Sequence, residues 1–439
     1  MSAGSLPGIL SNKVEPILRR EKASMSEENR EYSIVIWGAS GFTGKLTAEY
    51  ILGRYGVSDH FRWALGGRNL AKLEKVRKEI SESTGVAAES LPIVVGDGDD
   101  ETFLTSLAEQ THVVCTTVGP YATYGNDLLA ACAFAGVDYC DLTGEVQWME
   151  RTIDHYLDDA RKSGARIVHT CGFDSIPTDL GTLFLQQAMH EQFGEYSDQV
   201  KSRVGKFSGS ASGGTIASMM HMFEEAADDH AVREAMINPY SLNPKGERSG
   251  PDQPDLNKPE YDNDFQQWTS TFVMAAINTR VVRRSNALAG YPYGRDFIFS
   301  ERMLTGEGGR GKRKAATVCM GSQLTPLVMS VKPLRKLAAR LLPSPGEGPS
   351  AEAQLKGHFE LFFHGINADS GNSLKVRVSG DRDPGYGATS RMLGEAAVCL
   401  ARDDLDCAGG IWTPATAMGK SLTRRLQQSA GMHFELIDA

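Results

Sequence analysis

Three glycines at fixed spacing, Gly38, Gly41 and Gly44, stand between the apolar run 33–38 (SIVIWG) and the helix-like stretch 42–52 (FTGKLTAEYIL). No other feature of the chain restricts its fold so tightly. A buried strand that turns at once into a helix needs a residue without Cβ at the bend. A backbone that closes on a pyrophosphate needs a second such residue. The N–H groups and positive dipole end of the helix then face the phosphates. GxxGxxG is a variant of the GxGxxG dinucleotide fingerprint. Its strand–turn–helix setting at the first strand separates it from an ordinary glycine-bearing turn.

The alternation continues beyond the loop. Strands are expected at 63–67, 91–96, 112–119, 138–142 and 166–171, with helices at 70–81, 100–110, 127–136 and 150–162 between them. Strands that alternate with helices imply a parallel, doubly wound sheet. The fold class is therefore α/β, with an N-terminal Rossmann domain over 32–177. A second α/β domain with a mixed sheet is expected over 178–384. It would hold a helix at 179–192, a strand at 199–208, a helix at 215–227, and strands at 269–284, 294–303, 355–366 and 373–380. Residues 385–439 are expected as helices packing back on the Rossmann domain. Residues 1–31 are polar and mixed in charge without an apolar h-region, as in a flexible tail. Segment 239–264 carries five prolines and reads as a surface excursion or a lid.

The tip of the second strand selects the cofactor. An NAD site usually places an acid there for the ribose hydroxyls. Here the strand ends Gly66-Gly67-Arg68-Asn69, with Lys72 one turn on. A guanidinium suits a 2′-phosphate, so NADP(H) is expected, with a plain surface arginine as the alternative. Asp97, past the third strand, could take the adenine amino group or cap a helix. Gly119 and Pro120 end the fourth strand, where a doubly wound sheet has its cofactor crevice, and would bring backbone against the nicotinamide ribose.

Composition narrows the partners. Forty-six Lys+Arg against 55 Asp+Glu leave a net charge of −9, which gives no general attraction to nucleic acid. No run of 18 apolar residues suggests a spanning helix. The seven cysteines form no CxxC pair, and several lie in apolar runs, so a reducing, cytoplasmic setting is expected. No cluster has metal-ligand spacing, and no metal is expected.

The segments IVIWGASGFTGKLTAEYI, LGGRN, TVGPYATYGNDLLAACAFAGVDYCDLTGE, CGFDSIPTDLG and GDRDPGYGATSRMLGEAA carry a resemblance. The chain resembles the saccharopine dehydrogenase-like oxidoreductases, most closely their trans-acting enoyl reductase branch, from about residue 33 onward. The resemblance implies NADP(H) on the Rossmann domain and a substrate domain that also makes oligomer contacts, here a homodimer. Carried over by position, Gly38, Ser40, Gly41, Phe42, Thr43 and Gly44 would hold the phosphates. Arg68 would mark the 2′-phosphate, and Gly119 with Pro120 the nicotinamide. The implied reaction is reduction of an activated C=C bond on a small or carrier-bound, lipid- or polyketide-like substrate. Reduction of C=N or C=O is the nearest alternative, and a non-catalytic NADP(H)-binding scaffold or redox sensor on a lipid surface the other.

Enoyl reduction needs a hydride donor, a carbonyl polariser and a proton source. Tyr121 follows the strand-four glycine and Asp174 the sixth strand, so these are the catalytic candidates, each with packing or a turn as its plain reading. Tyr124, Thr143 and Glu145 occupy neighbouring loops. Ser212-Gly213-Gly214-Thr215 opens a helix whose N–H groups could hold an oxyanion. His169 is expected on the strand face opposite Cys171, and His221 and His358 are expected to stand alone. Over 325–343, apolar residues recur at helical spacing among Lys332, Arg335, Lys336 and Arg340. Such a helix suits a membrane or lipid-droplet surface, with packing on its own domain as the alternative.

Overall fold

The computed structural model describes residues 30–209, 213–331, 333 and 348–438. Two seven-stranded sheets organise them. In the first, β1 (Tyr32–Trp37), β2 (Trp63–Gly67), β3 (Ile93–Val95), β4 (Thr111–Thr116), β5 (Asp138–Cys140) and β6 (Arg166–Val168) run parallel in the order β6-β5-β4-β1-β2-β3. The order reverses between β1 and β4, and a Rossmann crevice opens at that switch point.

The apolar run of β1 is buried on both faces, as a strand inside a parallel sheet must be. Alternate residues feed separate cores: Ile34 and Ile36 pack with Ile51 and Leu52 on one side, and Val35 and Trp37 with Leu104 and Leu129 on the other. The first core continues through the Ile176–Phe193 helix to Phe359, Phe363, Val376 and Val378. Those residues belong to the second sheet. It is built from β7 (Gln199–Ser208), β8 (Glu260–Asp262), β9 (Gln267–Ser270), β10 (Ile298–Gly306), β11 (His358–Ile366) and β12 (Ser373–Gly380). There β7 and β10 pair in parallel and the other pairs are antiparallel, so this sheet is mixed.

Residues past 385 are not only helical. After the buried Thr389–Arg402 helix, β13 (Gly410–Trp412) adds a seventh parallel strand beside β6, and β14 (Met432–Ile437) pairs with β12. The Thr389–Arg402 helix is fastened through Glu395, whose carboxylate takes hydrogen bonds from Tyr50 (2.5 Å) and Tyr55 (2.6 Å).

The expected strand at 269–284 is instead the end of β9 followed by a helix, Ala275–Leu288. Residues 277–287 are all buried, so this helix has no polar face to reveal its period, and Thr279, Val281 and Val282 mimic a strand. Its arginines also pin the proline-rich segment. Arg280 donates to Asn238 O (3.0 Å) and Asp255 (3.1 Å), Arg283 to Pro239 O (3.2 Å) and Arg284 to Leu242 O. From the other side, Arg248 pairs with Glu150 (2.8 Å) and Asp154 (2.5 Å). Segment 239–264 is a strap tied along its length, which does not suit a lid.

Candidate active site at the β1–β4 crevice

The glycine loop has the shape a dinucleotide requires. Gly38 adopts φ +90°, and the Gly41 N–H closes a turn onto Gly38 O at 2.9 Å. A Cβ on Gly44 would sit 2.3 Å from Gly38 O and 2.8 Å from Thr117 Oγ1, so the third glycine is where helix and strand touch. A Cβ on Gly41 would meet only Gly38 O, at 3.2 Å, and that residue is otherwise open. The Phe42–Tyr55 helix begins with no side-chain cap and no acid in its first turn, which leaves its leading N–H groups for an anion. Ser40 is exposed beside the loop and Thr43 is half-buried in the first turn. Phe42 points elsewhere: its ring stands edge-on to Tyr386, centroids 4.7 Å apart, and joins the helix to the far wall.

At the tip of β2, Arg68 is exposed and carries no hydrogen bond or ion pair among the described residues. Asn69 has a separate task, capping the next helix by accepting the Lys72 N–H at 3.0 Å. The Asp97 carboxylate accepts the Asp99 N–H at 3.3 Å, while Asp100, not Asp97, is the helix N-cap. The other Asp97 oxygen takes no hydrogen bond from the described residues, on a loop that is exposed. The residues present thus fit a dinucleotide with a 2′-phosphate: an open glycine cradle, uncapped helix amides, and an unpaired guanidinium where that phosphate would lie.

The end of β4 is tied to this loop. Thr117 donates its N–H to Trp37 O at 3.0 Å, and its hydroxyl reaches Gly38 O at 3.4 Å. Gly119 and Pro120 then lead into the short Tyr121–Tyr124 helix. Glu145 holds that helix by both oxygens, accepting the N–H groups of Tyr121 (2.8 Å) and Ala122 (2.9 Å). Burial raises the Glu145 carboxyl, against the pull of a Ser218 hydroxyl and of those two amides.

Ser218 lies on the Gly213–Asp228 helix, which crosses from the second sheet to roof this end of the crevice. Its Oγ stands 3.6 Å from where a Gly119 Cβ would be. On the same helix His221 is not isolated, for its Nε2 meets Thr123 Oγ1 at 3.0 Å. Glu225, one turn on, binds Gln147 (2.8 Å) and Arg151 (3.2 Å). Sequence reading placed Glu145 in a loop without a role; the signal was an acid at the start of the 146–163 helix, close behind the fifth strand. Ser212 lies outside the described residues, and the Gly213 N–H already donates to Tyr386 Oη at 3.0 Å.

Tyr121 faces inward. Its ring is 5% exposed and stacks on Trp148 at 5.4 Å. The phenol donates to Thr116 O (3.2 Å) and accepts the Leu142 N–H (3.2 Å), and burial pushes its pKa well up. Those bonds tie β4, the nicotinamide loop and the end of β5 together. Tyr121→Phe should therefore lower stability by about 1–2 kcal/mol, read as an earlier urea midpoint, and leave the pH profile of turnover unmoved. A lost pH limb in that variant would return the phenol to the chemistry.

Asp174 stands apart. It follows β6 on the same carboxyl edge, two strands from β4, or about 10 Å away. The Asp174 side chain is partly exposed, and no described residue gives it a hydrogen bond or ion pair. Desolvation alone raises its carboxyl to about 6. Its neighbours are fixed: Phe173 N–H donates to Thr389 Oγ1 (3.0 Å) and Ser175 Oγ to Asn278 Oδ1 (3.0 Å).

His169 and Cys171 both lie past the end of β6, so the expected placement on opposite strand faces does not apply. His169 Nδ1 lies 2.8 Å from Asp141 Oδ2, both buried, and Asp141 Oδ1 accepts the N–H groups of Thr143 (3.0 Å) and Thr170 (3.1 Å). This pair knits the ends of β5 and β6. Cys171 is inert beside it, its thiol pushed well up first by burial and then by Asp141. Most of 325–343 lies outside the described residues; the helix Gly308–Ser330 enters it. Among the described residues no helix is long and apolar enough to cross a membrane.

Comparison with known proteins gives this geometry a context. Residues 34–168 match the family model of the saccharopine dehydrogenase NADP binding domain. The chain is 41% identical over 435 residues to a provisionally named trans-acting enoyl reductase of Mycobacterium tuberculosis, covering 94% of this chain and 99% of that protein. It is 36% identical over 426 residues to the trans-acting enoyl reductase of Mycobacterium ulcerans, with 92% and 98% covered. The trans-acting enoyl reductase of Mycobacterium bovis is 37% identical over 418 residues, with 92% and 97% covered. Among solved structures, apo saccharopine dehydrogenase (L-Glu forming) of Saccharomyces cerevisiae aligns with 92% of this chain and 99% of its own, at 10% identity and a TM-score of 0.49.

Proposed function

The chain belongs to the trans-acting enoyl reductase family of saccharopine dehydrogenase-like oxidoreductases, and on that footing we propose that it reduces the C=C bond of a lipid- or polyketide-type enoyl thioester. It is an NADP(H)-dependent oxidoreductase. When bound, NADPH supplies the hydride. The chain's own residues do the rest. Gly38, Gly41 and Gly44 admit the phosphates, Arg68 holds the 2′-phosphate, and Glu145 keeps the Gly119–Pro120 loop in place through the Tyr121 and Ala122 amides. Asp174 holds the proton that the α-carbon must receive, and the Gly213–Asp228 helix shields the end of β4 from water.

The observation that carries this reading is the unpaired Asp174 carboxyl, raised to about 6 on the carboxyl edge of the nucleotide-binding sheet. A carboxyl so placed is part-protonated near neutrality and can act as a general acid. The lipid-like character of the substrate has separate support on the Gly308–Ser330 helix. Arg310, Lys312, Arg313 and Lys314 are exposed there, and Met320 and Leu324 follow at 63% and 50% exposure. A basic and apolar face of this kind suits an anionic lipid surface.

The test is NADPH oxidation followed at 340 nm with trans-2-decenoyl-pantetheine, with and without phosphatidylglycerol vesicles. Matched imine and ketone panels run beside it. The expected product is the saturated thioester, identified by mass, with the protein sedimenting with the vesicles. Turnover confined to the imines or ketones would replace the C=C reading. NADPH binding without any turnover would point to a scaffold, and failure to sediment would remove the lipid surface.

A further inference from the structure

Asp174 makes no bond of its own among the described residues, so its place depends on the residues beside it in the chain. It stands on a turn closed by the N–H groups of Ser175 (3.2 Å) and Ile176 (2.9 Å) on Gly172 O. Each flank of that turn is held by a side chain from elsewhere in the fold. The Phe173 N–H donates to Thr389 Oγ1, and the Ser175 hydroxyl donates to Asn278 Oδ1 at 3.0 Å.

Asn278 lies in the first turn of the Ala275–Leu288 helix, and both it and Ser175 are buried. Its Nδ2 donates to Glu301 Oε2 at 2.7 Å. Turning the amide over would set oxygen against oxygen at Glu301, so Oδ1 stays toward Ser175. Glu301 sits buried on β10 of the second sheet and also accepts from Thr178 (2.7 Å) and Ser202 (3.1 Å). No described cation pairs with it. Arg203, whose charge reaches it, is bonded to Asp262 at 2.6 Å. A carboxyl so buried keeps its few donors firmly, because a lost donor leaves a buried oxygen unmet. The line Ser175–Asn278–Glu301 thus joins the carboxyl edge of the first sheet to the second, with every link inside the protein.

We propose that Asn278 is a positioning residue for the Asp174 carboxyl, holding its turn against the fold through Ser175 with Glu301 as the anchor. The proposal rests on the reading of Asp174 as the acid and supplies the support that Asp174 itself lacks. With this line cut, the turn relaxes toward solvent, and a better solvated carboxyl gives up its proton more readily. Burial is the single cause that raises this carboxyl, so no neighbouring charge competes with the effect. On the elements around the turn, Asp179 is bonded to Ser285, Arg280 to Asp255, Arg391 to Asp381 and Glu360 to Arg377.

The test follows the Asp174 carboxyl by NMR in the full chain, with aspartate labelled with carbon-13 at the side-chain carboxyl. Loss of the resonance in Asp174→Asn assigns it. The parent should titrate near 6. Asn278→Ala should lower that midpoint by about one unit, and Ser175→Ala by about as much. The double variant should go no further, because both substitutions cut the same line. Val281→Ala, on the same helix but in the other core, should leave the midpoint in place. With the enoyl thioester at pH 7, kcat should fall roughly tenfold in Asn278→Ala, in step with the protonated fraction, while NADPH affinity holds. An unmoved midpoint in either single variant, additive shifts in the double, or an equal shift in Val281→Ala would overturn the proposal. Ser175→Ala leaves Asn278 on Glu301 and decides the matter if Asn278→Ala does not fold. Midpoints that move as expected while turnover stays constant would uphold the positioning and remove Asp174 from the reaction.

Discussion

Asp174→Asn should cut turnover on the order of 100-fold while making the protein more stable at alkaline pH. The first half follows from the role of a general acid, whose removal costs roughly 10²–10⁴ in rate. The second follows from linkage. The Asp174 carboxyl is raised from 3.8 to about 6 in the fold, so the fold favours its neutral form. Below the unfolded value it is protonated in both states and costs nothing. As pH rises through the folded value it must ionise in a poorly solvated place, and stability is lost. A shift of this size is about 3 kcal/mol in full, and about 1–2 kcal/mol after solvent screening at a partly exposed site. Asparagine is neutral throughout. The variant and the parent should thus melt together at pH 4, and the variant should melt several degrees higher at pH 8. Turnover of the parent should fall as pH rises past an apparent value near 6, a limb the variant lacks. Unchanged turnover with the same stability gain would leave Asp174 as a strained surface acid outside the reaction.

Much of this was readable in the residues, for reasons that can be named. Strand β1 and the loop after it were legible because Gly38, Gly41 and Gly44 answer a steric demand that recurs at one place in the fold. Strands β2, β7 and β12 run over 63–67, 199–208 and 373–380, the spans their β-branched and apolar patterning predicts. The Ala275–Leu288 helix was illegible because periodicity reports a boundary between wet and dry faces, and a helix buried all round has none. Its arginines belong inside because Arg283 and Arg284 bind carbonyl groups of the strap and Arg280 one just before it, a partnership no local window contains. Strands β13 and β14 are short edge additions whose pairing depends on β6 and β12, far away in the chain.

The site divides along the same line. Arg68 could be found because it sits a fixed distance past a glycine loop. The contact of His221 with Thr123 and the Ser218 bond to Glu145 could not, since they span 98 and 73 residues between two sheets. Tyr121 shows the opposite failing. A tyrosine after the strand-four glycine looks like an acid by position, but its direction is set by Trp148 and by the unmet groups of Thr116 and Leu142. Asp174 was visible as a residue of the right type on the right edge. Its raised carboxyl comes from burial without a partner, which only the assembled loop displays.

Arg68→Ala should cost NADPH about 10- to 100-fold in affinity and leave NADH nearly untouched. The guanidinium stands free at the tip of β2 with no acid in its place, so a 2′-phosphate gains a charge-assisted contact there that a 2′-hydroxyl cannot make. Glycine loop and helix amides serve both dinucleotides alike, so the variant should fall back to the level of the shared contacts and no further. Fluorescence titration of NADPH and NADH into the parent and the Arg68→Ala protein reads all four affinities at once. The expected result is a clear NADPH preference in the parent that collapses in the variant through the NADPH value alone. Equal affinity for both cofactors in the parent, or a preference that survives the substitution, would contradict it.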